Sequence, residues 1–182
     1  DALQLAIGWT ESDIQKKQVL VEDVLGDSHP GSAHLGRLSE QVQIGVYEGG
    51  GKPGRFHTTD ICDGCAQGHD GMNYILASRE SIADMVELHG RFVPWDGLVL
   101  LSSCDKSIPG HLKAAARLNL PTVFVPGGSM RPSRNMTSDI DEIGDLTLRQ
   151  ERDRDNPAVK RDVRNYKLTA CPSVGACQMY GT

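Results

Sequence analysis

From residue 54 to residue 127 the chain alternates short apolar runs with longer helical patterns, and this alternation limits the folds open to it. Residues 54–59 read as a short strand, residues 77–90 as a helix, LVLL as a second strand, residues 108–119 as a second helix and PTVFVP as a third strand. Such an order implies a parallel sheet, because the chain crosses back over the sheet before each new strand. In the first helix Ile82, Met85, Val86 and Leu88 supply apolar positions and Ser78 is the candidate N-cap. Pro109 lies near the first turn of the second, where a missing N–H is tolerated. Upstream, Leu35, Leu38, Val42 and Val46 fall at i, i+3, i+7 and i+11 inside residues 33–47, one face of a helix that three glycines then end. Thr10, with Asp13 three residues on, marks a further helix start. The stretch VLVEDVL within residues 18–25 alternates without declaring its type, and residues 26–32 are a loop.

Ligands of parallel sheets bind off the carboxyl ends of the strands. The loops there are DICDGCAQGHDGM, SSCDKSIPG and GGSMRPSRN, which therefore share one rim. Two of them place cysteine next to aspartate, as Cys62-Asp63 and Cys104-Asp105-Lys106. Thiolates favour iron–sulfur clusters or zinc and carboxylates favour magnesium, calcium or manganese, so the pattern suggests two adjacent metal sites. The plainer alternative makes the cysteines small buried residues and the aspartates caps. Lys106 would repel a cation unless it pairs with an anionic substrate or its amine has become a carbamate. Cys62-x-x-Cys65 is compatible with half a zinc site, a redox pair or two unrelated thiols. A non-catalytic zinc module would recruit Cys171 and Cys177 as well. Of six histidines, His89 and His111 fall on expected helices and read as structural or surface residues, while His29, His34 and His69 lie where they could line a site.

The bulk numbers narrow the function classes. At 182 residues the chain suits one domain with a proper core. A net charge of −5 without a Lys/Arg-rich block argues against nucleic-acid partners. No apolar run approaches the roughly 18 residues that span a bilayer, and no signal peptide is visible, so a cytoplasmic protein is expected. Five cysteines, an odd number, argue against a disulfide framework. Neither GxGxxG after a strand, nor a P-loop, nor GxSxG occurs. Residues 131–166 are polar, a solvated helix or a flap, and residues 167–182 form a Cys/Gly loop leading toward a helix. A start at Asp1 and an end just after Cys177 suggest a piece of a longer protein.

Together, CDGCAQGHDGM, SSCDKSIPGHLKAAARLNLPTVFVPGGSM and ACPSVGACQMYGT resemble the dihydroxy-acid dehydratase and 6-phosphogluconate dehydratase family. CDKxxPG is the specific element, and the stretch from GDSHPGSAHL to NYILASRE looks most like the sugar-acid branch, in particular bacterial D-xylonate dehydratases. The resemblance implies a hydro-lyase that removes water from a 2,3-dihydroxy carboxylate, giving a 2-keto-3-deoxy acid. It implies an iron–sulfur cluster, 2Fe–2S or 4Fe–4S, and Mg2+. It implies a three-layer α/β/α domain with a mostly parallel sheet, residues 1–182 being an N-terminal cluster- and metal-binding domain. A β-rich C-terminal domain holding the serine base and a further glutamate ligand is expected elsewhere, so these residues alone are expected to be inactive. A homodimer or homotetramer is expected.

Residue by residue, Cys104 and Cys177 match cluster cysteines, Asp63 and Asp105 match magnesium ligands, and Lys106 matches a lysine carbamylated as a magnesium ligand. Dihydroxy-acid dehydratases carry a third cluster cysteine in a PCNxH motif, where this chain has HPGSAH with Gly31 at that position. In 6-phosphogluconate dehydratases a cysteine precedes Asp-Gly, which here is Cys62. The expected cluster set is therefore Cys62, Cys104 and Cys177. The second departure, Val174 in place of a cysteine, touches no expected ligand. Within the enzyme class the rival substrate is the branched-chain dihydroxy acid of amino-acid synthesis.

Overall fold

The computed structural model describes residues 2–128 and 143–169. Its elements run α1 (Ala2–Ala6), α2 (Glu11–Gln15), β1 (Gln18–Asp23), α3 (Leu35–Glu48), β2 (Lys52–His57), α4 (Asp63–Ala66), a 3-10 turn (Asp70–Tyr74), α5 (Ile75–Arg91), β3 (Gly97–Ser102), α6 (Ser107–Leu118), β4 (Thr122–Pro126), α7 (Ile143–Arg152) and α8 (Pro157–Thr169). The strands form one sheet in the order β2-β1-β3-β4, and every pairing is parallel.

Right-handed crossovers decide where the helices go. The step from β1 to β2 runs one way along the sheet, and the steps from β2 to β3 and from β3 to β4 run the other way. That puts α3 on one face and α5 and α6 on the opposite face, the three layers expected. Residue parity agrees. Leu20, Glu22, Leu98 and Leu100 share a face through their register, and Glu22 meets His89 of α5. Val21, Asp23 and Arg55 share the other, and Arg55 donates to the Gly36 carbonyl of α3. Leu20, Leu98 and Leu100 pack with Ile82 and Val86 of α5 and with Ala114 and Leu118 of α6 as the main core.

Four local expectations change. Residues 18–23 are a strand, flanked on both sides and so central to the sheet. The first residue of α5 is Ile75 and its N-cap is Tyr74; Ser78 lies inside the helix and donates to the Ile75 carbonyl. Met85 and Leu88 point to solvent, while Ile82 and Val86 are buried. The loop after β2 also contains α4 and the 3-10 turn. Elsewhere Thr10 and Asp13 make a reciprocal capping box, Gly50 adopts a positive φ after α3, and Pro53 is accommodated because β2 is an edge strand. Of the loop expected over residues 167–182, residues 167–169 instead end α8, and the rest, with Cys171 and Cys177, lies outside the described residues, as does most of GGSMRPSRN.

Candidate metal centre

The strand order reverses between β1 and β3: from β1 the chain moves outward to β2, from β3 outward to β4. Loops diverge at such a point and open a crevice beyond the carboxyl ends of the strands. The loop after β3 carries Cys104 into that crevice, the loop after β2 carries Cys62, and the loop after β1 carries His29. All three residues are buried, and the two Sγ atoms and a His29 ring nitrogen lie within 4.8 Å of one another. Among the described residues, this is where three metal-ligating side chains converge.

Short local bonds hold Cys104 and tie the surrounding loops together. The Cys104 backbone N–H donates to Ser107 Oγ at 3.1 Å, and that hydroxyl donates back to the Cys104 carbonyl at 3.2 Å. Cys104 is thus clamped at the start of α6, an end that favours nearby negative charge. Ser103 Oγ donates to the Gly31 carbonyl and joins the β1 and β3 loops. His34 Nε2 donates to the Gly127 carbonyl at 3.0 Å and joins the β1 and β4 loops. Gly31 lies against the site: a Cβ there would meet Cys104 Sγ at 2.7 Å and His29 Nδ1 at 3.1 Å. Glycine leaves that volume open.

His29 Nε2 lies 2.7 Å from Asp60 Oδ1 and 3.0 Å from Ser32 Oγ. Ser32 spends its own proton on the Gly26 carbonyl, so both neighbours accept and Nε2 carries the hydrogen. Its hydrogen bond to Asp60 holds the His29 pKa above the ordinary value; burial opposes this and the charges of Asp60 and Cys62 add to it. The other ring nitrogen, Nδ1, is buried and has no hydrogen-bond partner. His34 Nδ1, Asp60 Oδ2, Ser102 Oγ and both nitrogens of His111 are orphaned in the same way. Gln18 Oε1, at the opposite end of β1, is orphaned too, but His29 Nδ1 and Asp60 Oδ2 stand on one bonded pair beside the sulfurs, and buried polar atoms are normally satisfied.

The hard-donor residues sit beside the sulfurs. Asp63 opens α4 immediately after Cys62, and its Oδ1 accepts from the Gly64 N–H. Asp105 follows Cys104, and its carboxylate is ion-paired with Lys106, the N-cap of α6. None of the three belongs to the converging sulfur and imidazole group. Cys65 is exposed and also stands outside it. His69 caps the 3-10 turn, accepting from Gly71 N–H, and His89 is bonded to Glu22. His111 is fully buried rather than at the surface.

Sequence reasoning did not give His29 a partner, and missed Asp60, Ser107 and the buried acids of β1. Glu22 lies under α5 with His89, its pKa raised chiefly by burial, which the His89 hydrogen bond opposes. Asp23 accepts from Arg55 at 3.1 Å and from His57 Nδ1 at 2.6 Å. The available signal was two acids ending an apolar run whose side chains would be buried in a central strand. A groove of about 760 Å³, lined by Trp9, Phe56, Phe92 and Trp95 among others, lies at the starts of β1 and β2 and includes none of His29, Cys62 and Cys104.

The donor set suits iron. Thiolate and imidazole are ligands it accepts, and His29 Nδ1 presents a buried lone pair with nothing else to bond. The dihydroxy-acid/6-phosphogluconate dehydratase N-terminal family model matches residues 16–182, and the chain belongs to that family. Among its relatives are proteins named dihydroxy-acid dehydratase from Methanococcus maripaludis, 38% identical over 97% of this chain and 32% of the relative, and from Methanosarcina barkeri, 37% identical over the same shares. A third, of the same name, from Pyrococcus furiosus, is 41% identical over 94% of this chain and 31% of the relative. The chain spans about a third of the length of these relatives.

Proposed function

We propose that this chain is the metal-holding part of a hydro-lyase that dehydrates a 2,3-dihydroxy carboxylic acid. The convergence of Cys62 and Cys104 at the strand-order reversal, with an aspartate following each, carries the proposal. Cys62 and Cys104, with Cys177, would hold an iron–sulfur cluster, and Asp63, Asp105 and Lys106 would hold Mg2+. When bound, these groups supply Lewis acidity at neighbouring carbons, the iron toward the departing hydroxyl and Mg2+ toward the carboxylate end of the substrate.

The chain's own residues set the stage for that chemistry. The Ser107 clamp fixes the backbone from which Cys104 and Asp105 project in succession, so a soft and a hard donor are presented one residue apart. As an amine, Lys106 neutralises Asp105. As a carbamate it would add an anionic oxygen donor beside the Asp105 carboxylate. The base that takes the C2 proton is supplied by another part of the complete protein, so residues 1–182 alone give no turnover.

The relatives' names favour a branched-chain dihydroxy acid as substrate. One observation favours a sugar acid: Gly31 stands where dihydroxy-acid dehydratases carry the cysteine of a PCNxH motif, and a Cβ there would press on Cys104 Sγ. The complete polypeptide carrying these residues should be purified without oxygen and assayed on D-xylonate and on a branched-chain 2,3-dihydroxy acid. Formation of a 2-keto acid from either is the expected result, and the preferred acid assigns the branch. Loss of neither substrate, with cluster and Mg2+ present, sinks the proposal.

A further inference from the structure

Within the proposed centre the structure also places a nitrogen donor that the cysteine pattern does not require. His29 is 8% exposed, and its ring is fixed from one side. Asp60 Oδ1 and Ser32 Oγ both accept from Nε2–H, at 2.7 and 3.0 Å. The neutral imidazole therefore keeps its lone pair on Nδ1, which has no hydrogen-bond partner. A ring nitrogen of this histidine lies within 4.8 Å of the sulfurs of Cys62 and Cys104. A carboxylate on the far nitrogen of an imidazole is the usual support of a metal-bound histidine, because it fixes the tautomer and raises the donor strength of the other nitrogen.

The glycine at position 31 sharpens the point. Cys104 Sγ and His29 Nδ1 both border the space where a Gly31 side chain would start. With no side chain at position 31, the imidazole faces the sulfur across an open gap.

We propose that His29, through Nδ1, is an iron ligand of the cluster held by Cys62 and Cys104, with Asp60 as its positioning residue. This rests on the cluster reading above. No bond in the protein breaks: the lone pair of Nδ1 is donated to iron while the hydrogen stays on Nε2. A neutral imidazole is held less tightly than an anionic thiolate, so the ligation is to be read in substrate-free enzyme.

The complete protein should be prepared anaerobically with natural-abundance histidine and with 15N-histidine, analysed for iron and sulfide, reduced, and examined by pulsed EPR. The expected result is a strongly coupled nitrogen that changes with the isotope and disappears in His29→Gln. Asp60→Asn gives a second route should His29→Gln fail to assemble a cluster: it should keep a coupled nitrogen but alter the size of the coupling. A cluster with no isotope-sensitive nitrogen overturns the ligand proposal and leaves the cluster reading standing. So does a coupling that survives His29→Gln, whereas one lost in His29→Gln but untouched by Asp60→Asn overturns the positioning role of Asp60. Protein without iron and sulfide overturns both.

Discussion

Burial of a titratable group without a partner has consequences that can be measured, and His111 shows them. Both ring nitrogens are buried and unpaired, and desolvation pulls the pKa down to about 4 against the opposing charges of Asp60 and Asp23. The imidazole is neutral in the folded protein at neutral pH. Between its ordinary value, 6.5, and about 4 the unfolded chain binds a proton that the folded chain refuses. Stability from this residue is therefore complete above pH 6.5 and declines as pH falls through that window, by on the order of 3 kcal/mol. Glu22 acts in the opposite sense: its raised pKa favours the folded state at low pH and that gain is lost as pH rises. A comparison of wild type with His111→Leu isolates the His111 part. Urea unfolding of the complete protein at pH 7 and pH 5 should show a smaller loss of stability on acidification in His111→Leu, and equal losses would contradict the assignment.

At the level of elements, α3, α5, α6 and three of the strands were legible because each buries one kind of face. Leu35, Ile82, Val86, Ala114 and Leu118 keep a helical period, and LVLL and PTVFVP are short apolar runs between turn residues. The strand β1 was not legible, since Glu22 and Asp23 break its apolar run and only tertiary partners make their burial tolerable. Ser78 looked like a cap because it is a good one, but the helix continues through it from Ile75. In the site, the Cys–Asp pairs could be read from adjacency and strand order. His29 could not, because its role depends on contacts 31 residues away in Asp60 and across the sheet in Cys104. A strand glycine such as Gly54 reads as a weak point in sequence, yet the Trp95 indole lies where its Cβ would go, 2.3 Å from the nearest ring atom. Gly54→Ala should cost about 1–3 kcal/mol in unfolding free energy. A loss below about 0.5 kcal/mol would mean that the indole moves aside freely.

For the molecule as a whole, the sheet order explains why one substrate could meet two inorganic groups. Reversal between β1 and β3 gathers the loops from separate strands into one crevice, and adjacency in the chain then sets a carboxylate beside each thiol. Membership of the dehydratase family agrees with that arrangement. Among the described residues no helix is long and apolar enough to cross a membrane. The most direct test of the central claim is the iron and acid-labile sulfide content of the complete protein, prepared anaerobically as wild type, Cys104→Ser and Lys106→Ala. Wild type and Lys106→Ala should carry equal iron and sulfide, with magnesium affinity at least tenfold weaker in Lys106→Ala, and Cys104→Ser should lose most of both. Wild-type protein free of iron, or a Cys104→Ser protein with undiminished iron and sulfide, would contradict the account.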